Sequence, residues 1–222
     1  MTLARQLVAE GIGTALLLAV VVGSGIMGER LAGGNAAIAL LANSIATGCG
    51  LWVLIAIFGP LSGAHFNPAV TLAMASNGHL PWPHVPPYVV VQVIAALVGV
   101  AFAHVMFALP LFTASTHQRS GVGQLVAEGV ATAGLLLTIG LARHKGSVVV
   151  GGLVAAYITA AYWFTASTSF ANPAVTLARA ATNTFAGIRP ADVTGFIVVQ
   201  LVVAPIAMRM ATWLDRGVAS TR

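Results

Sequence analysis

Residues 65–75 read HFNPAVTLAMA, and residues 170–180 read FANPAVTLARA. In each stretch an Asn-Pro pair opens a short apolar run. Asparagine is preferred just before a helix, because its side-chain oxygen accepts from an orphan N–H of the first turn. Proline suits the first helical position, where no N–H is needed. Both stretches are therefore helix starts. The run from Pro68 to about Ser76 is nine residues. That is roughly 13 Å at about 1.5 Å per residue, under half of a ~30 Å hydrocarbon core. These are half-helices.

Working outward, the similarity extends in both directions. Residues 7–17 (LVAEGIGTALL) match 125–135 (LVAEGVATAGL) at eight of eleven positions, and 88–98 (YVVVQVIAALV) aligns with 196–206 (FIVVQLVVAPI). The three matches keep the same order in both halves. The chain is a duplication, with repeat 1 about 1–109 and repeat 2 about 121–215 of a single domain over 1–222.

Six stretches are long and apolar enough to span a bilayer: about 5–25, 36–58, 88–108, 123–142, 147–166 and 195–213. Three fall in each repeat. An odd number of spans forces the second repeat to enter the membrane inverted, and inverted repeats place their sites at the midplane on broken helices. The expected fold is all-α, with six transmembrane helices and two re-entrant half-helices whose N-termini meet near the centre.

Composition points to the same solvent. Hydrophobic residues make up 58% of the 222 positions and charged residues 7%, against roughly 25% charged in soluble domains. Mean hydropathy is +0.93. Most of the surface must face lipid. This excludes a soluble enzyme and a nucleic-acid binder, since the ten basic residues behind the net charge of +5 are scattered. No nucleophile–base pair, phosphate loop or metal-ligand spacing is visible, so no catalytic residue, metal or cofactor is expected. The lone Cys49 rules out an internal disulfide and reads as a packing residue. Arg5, Arg143, Lys145, Arg209, Arg216 and Arg222 fall on the side of the termini, and Arg30, Arg119, Arg179 and Arg189 on the other. That bias favours cytoplasmic termini, and compact loops suggest a bacterial inner membrane.

Three consequences follow from the paired half-helices. Each N-terminus carries roughly half a positive charge, so the centre repels cations. Each Asn, of Asn67-Pro68-Ala69 and Asn172-Pro173-Ala174, spends its oxygen on the cap and keeps its NH₂ as a donor. Segments Ser62–Phe66 and Thr168–Ala171 are expected to be extended, with carbonyls facing a wet cavity. Acceptors, donors and a positive centre describe a path for neutral hydrogen-bonding solutes. Glu10 and Glu128 lie inside spans, where a carboxylate costs roughly 2.5–3.5 kcal/mol. Each is expected to accept from loop N–H groups and anchor a re-entrant segment.

With these motifs (AEGIGTALL from Ala9, AEGVATAGL from Ala127, SGAHFNPAVT at 62–71 and the second tripeptide), the sequence resembles the major intrinsic protein family of aquaporins and aquaglyceroporins. The resemblance covers nearly the whole chain. It implies an aquaporin-like right-handed bundle, a homotetramer in the lipid bilayer, and passive passage of water and small neutral solutes. Most of that family carries Arg after the second tripeptide; here the position is Val175. Family spacing places the other filter side chains at Thr47, Ala160 and Ser169, an expected wide and nearly uncharged filter. It also places His65 on the inner half of the pore. Such a filter suits glycerol, urea or metalloid hydroxides such as arsenous acid, as in the bacterial subgroup with Val at that position. A narrow water-selective channel and an ion-coupled secondary transporter are the alternatives. Arg179, one turn past Val175, has two readings: an interface arginine, which the position favours, or a mouth arginine restoring the missing charge.

Overall fold

The computed structural model describes residues 1–219; Arg222, counted above with the basic residues on the side of the termini, lies outside them. Six long helices occur among the described residues: α1 (Leu3–Leu31), α2 (Ala36–Ser62), α4 (Val85–Met106), α5 (Val122–Ala142), α6 (Ser147–Phe164) and α8 (Pro190–Ala219). Two short ones follow the Asn-Pro pairs, α3 (Pro68–Ser76) and α7 (Pro173–Arg179). All six long helices are long and apolar enough to cross a membrane, and the protein is a multi-pass membrane protein.

Local chemistry sets the ends. Asn35 caps α2, accepting from Ala37 N at 3.0 Å and Ile38 N at 3.2 Å. Gly63 stops α2 in the left-handed region at φ 91°, where glycine carries no Cβ penalty. Helix α4 starts earlier than the apolar stretch implies, because Pro86 and Pro87 are tolerated in a first turn that needs no N–H. Helix α8 likewise begins at Pro190, with Asp192 in its first turn, where a carboxylate complements the helix dipole. Helix α1 runs past its apolar stretch through Glu29 and Arg30.

The two repeats interlock. Helix α1 packs on α2 and α4, α5 packs on α6 and α8, and α2 meets α6 across the molecule. The half-helices cross over: α3 contacts α8 of the other repeat, and α7 contacts α4. Close approach relies on small residues, as in other membrane bundles; a Cβ on Gly99 of α4 would sit 2.2 Å from the Ala15 carbonyl of α1. Large apolar side chains such as Leu16, Phe102, Val202 and Trp213 face outward, which is the arrangement lipid requires. Cys49 is exposed on α2 and does not serve as the packing residue expected.

Candidate functional site

The two half-helix starts meet at the middle of the molecule. Asn67 Oδ1 accepts from Ala69 N at 2.8 Å, and Asn172 Oδ1 from Ala174 N at 3.0 Å and Val175 N at 3.3 Å. Each amide also reaches the opposite repeat. Asn67 Nδ2 donates to Ala171 O, and Asn172 Nδ2 donates to Phe66 O, both at 2.8 Å. One N–H of each NH₂ is thus committed, and one remains for a ligand.

The segments before the Asn-Pro pairs are not extended, contrary to expectation. Ala64 and Phe66 have φ of 48° and 49°, and Thr168, Ser169 and Ala171 have 60°, 52° and 48°. Each such residue costs of order 1–3 kcal/mol and persists only when its surroundings hold it. The reason is visible at the carboxylates. Glu10 accepts from His65 N at 2.9 Å and Phe66 N at 2.7 Å; Glu128 accepts from Phe170 N at 2.9 Å and Ala171 N at 2.8 Å. Successive N–H groups point to opposite sides in an extended strand. They converge on one anion only when left-handed residues turn them the same way. Gln92 Nε2 and Gln200 Nε2 complete the two carboxylate shells at 2.9 and 2.6 Å, and each glutamine also donates to a threonine of the adjacent half-helix, Thr71 or Thr176, at 3.0 Å. Ser62 Oγ adds a bond to Glu10 at 2.7 Å.

A cavity of about 70 Å³ runs past this junction. Thr47, His65, Asn67, Ser169, Asn172 and Arg179 line it, and the rest of its wall is largely apolar, from residues such as Leu17, Val21, Ile158, Phe170 and Val175. Pro68, Ala69, Pro173 and Ala174 are buried behind the asparagines as helix starts. His65 Nδ1 lies 3.1 Å from Thr71 Oγ1.

Ala160 does not belong to this wall, a correction to the family-spacing expectation. It is exposed on α6. Ile158 and Tyr162, four apart and on one helix face, line the cavity instead; Ala160 lies about 200° around the helix from either. Tyr162 is buried, with its hydroxyl 3.3 Å from Thr47 Oγ1. Arg179 is also buried, not an interface residue. Its guanidinium carbon lies 3.5 Å from the centroid of the Phe170 ring, and its Nε donates to Ala186 O. It borders both the cavity and a vestibule on the Arg179 side, shared with Arg119, His117, Gln124 and Thr168. Burial holds the Arg119 guanidinium below its ordinary value, against the opposing fields of Tyr162 and Glu128.

Tyr162, Gln92, Gln200, Phe170 and Arg119 went unassigned in the sequence. The glutamines had a signal, since they recur in register between the repeats, and Tyr162 had one in its i+4 spacing from Ile158. Arg119 had none, because its position comes from a connection folded back over the mouth.

A family profile described as Major intrinsic protein matches residues 1–165. Aquaglyceroporin AqpS of Rhizobium meliloti (strain 1021) is 54% identical over 214 residues, covering 96% of this chain and 91% of that protein. Aquaporin NIP2-3 of Zea mays is 35% identical over 195 residues, covering 84% of this chain and 63% of that one. Among solved structures, the aquaglyceroporin from Plasmodium falciparum superposes with a TM-score of 0.76 at 19% identity, covering 99% of this chain and 98% of that one.

Proposed function

The chain belongs to the major intrinsic protein family, and we propose that its central cavity is a passive channel for water and small uncharged solutes, glycerol among them, filtered by Thr47, Tyr162, Ser169, Val175 and Arg179. The observation that carries this reading is the pair of half-helix starts capped by Asn67 and Asn172 and bordering one cavity. Each helix start presents a positive end, which excludes cations as half-helix dipoles do in aquaporin-type pores. Each asparagine keeps one N–H for a passing oxygen. Apolar side chains in the same wall let a solute shed part of its water while its hydroxyls stay bonded to these donors.

Arsenous acid is a substrate by the same logic, being small, neutral and hydroxylated, with Val175 leaving out a guanidinium directly after the second tripeptide. The chain assembles as a homotetramer in a bacterial inner membrane with cytoplasmic termini. Outward apolar surface, the basic residues near the termini and the bacterial source of the 54% identical relative support that placement. Against ion coupling, Glu10 and Glu128 are spent on loop N–H groups, and among the described residues no carboxylate lines the cavity.

Light scattering of phosphatidylcholine vesicles holding the purified protein tests the reading. Water, glycerol, urea and arsenous acid are expected to permeate with flux linear in gradient and indifferent to sodium and pH. Water flux alone would leave a narrow water channel, and saturable sodium- or proton-dependent uptake would leave a coupled transporter.

A further inference from the structure

Two arginines, Arg179 buried and Arg119 half-buried, line the vestibule on the Arg179 side. Arg119 arrives from the connection after α4 and Arg179 from the end of α7, and their guanidinium carbons lie 5.0 and 3.5 Å from the centroid of one ring, Phe170. Neither belongs to an ion pair among the described residues. The Arg119 side chain donates only to neutral oxygens, Gly187 O at 2.8 Å and Ser167 O and Thr168 Oγ1 at 3.3 Å; that of Arg179 donates to Ala186 O. Asp192 takes the main-chain N–H of Arg119 and the guanidinium of Arg189, each at 2.8 Å. Two like charges therefore border one ring with no carboxylate in direct contact with either guanidinium, Glu128 acting on them only from a distance. Guanidinium groups carry five donors, and both arginines retain unspent ones.

Two polar atoms in the adjoining walls are also unspent. Ser169 Oγ, on the cavity wall bordered by Arg179, is buried with no hydrogen-bond partner, as is Gln124 Oε1 on a residue of the vestibule wall. The guanidiniums demand an oxyanion. The amide oxygen of Gln124 only accepts, so on an oxyanion it can pair with a retained O–H and not with a bare oxygen. We propose that this vestibule binds a small, singly charged oxyacid that still carries a proton, its bare oxygens on Arg119 and Arg179 and its hydroxyl on Gln124. A bare dianion satisfies the arginines and leaves Gln124 unpaired.

Radiolabelled inorganic phosphate, binding to the purified full chain in detergent at mildly acidic pH, tests this without any flux measurement, so it stands or falls apart from the channel reading. Saturable binding is expected, with unlabelled phosphate displacing the label about tenfold better than sulfate at equal ionic strength, the margin one buried hydrogen bond supplies. Arg119→Gln is expected to weaken binding about tenfold or more. Gln124→Leu, in the first turn of α5, is expected to leave sulfate competition as it was and remove the advantage of phosphate. Elution volume and melting temperature check that each variant is folded. Repeating the titration in nanodiscs with and without phosphatidylglycerol separates a lipid headgroup from a free acid; that diester has no proton and is expected not to compete. Equal binding by wild type and Arg119→Gln, equal competition by sulfate, or displacement by phosphatidylglycerol overturns the proposal.

Discussion

Tyr162 shows how one side chain is assigned by phase rather than by count. Counting back from the second Asn-Pro pair reaches Ala160, but α6 turns that residue outward and turns Tyr162 in, toward Thr47. The phenol occupies wall that an alanine would leave open. Tyr162→Ala is expected to raise vesicle permeability to glycerol several-fold and to admit longer polyols such as erythritol. Ala160→Leu is expected to leave both unchanged within error. Light scattering on the same vesicles reads both variants, and the reverse pattern would return Ala160 to the filter. The candidate site was legible at Asn67, Asn172, Thr47, Ser169, Val175 and His65, all of which reach the cavity. Arg179 was legible as a charge, and its burial over Phe170 was not, because an aromatic ring one loop away decides which way the guanidinium folds.

At the scale of elements, helix contacts depend on glycines that a polar–apolar pattern does not distinguish. Gly99 faces the Ala15 carbonyl and the Leu18 side chain, 2.2 and 2.7 Å from where a Cβ would stand. Backbone cannot yield as a flexible side chain can. Gly99→Ala is expected to wedge α4 off α1 and destabilise the protein by about 1–3 kcal/mol, the usual cost of overpacking. Gly123→Ala, at the start of α5 with nothing near its Cβ position, is expected to be neutral or stabilising by up to about 1 kcal/mol through lost unfolded-state entropy. Thermal unfolding of the two variants in one detergent checks the contrast. The helices themselves were readable from apolar length, and the half-helices from Asn-Pro spacing. The left-handed segments before them were not, since only a carboxylate on another helix makes consecutive N–H groups turn the same way.

For the whole molecule, the inverted halves are tied by two reciprocal bonds, Asn67 to the Ala171 carbonyl and Asn172 to the Phe66 carbonyl. Each asparagine also caps its own helix, so removing one loosens both its own half-helix and the opposite loop. Asn67→Ala and Asn172→Ala are each expected to cost about 1–2 kcal/mol for the lost cap. Their double variant is expected to depart from additivity by at least about 0.5 kcal/mol, because both act on one junction. A double-mutant cycle from melting curves measures it, and strict additivity would mean the two ties are independent.

By itself the sequence determined the solvent, the six spans, the duplication and its inversion, and the two capped helix starts, because apolar length, repeat order and N-cap chemistry are local properties. The tertiary structure alone decided which face of α6 meets the cavity, how Arg119 and Arg179 come to share a ring, and where each asparagine spends its second bond. Those depend on the rotation of packed helices and on contacts between residues far apart in the chain, which no local pattern encodes.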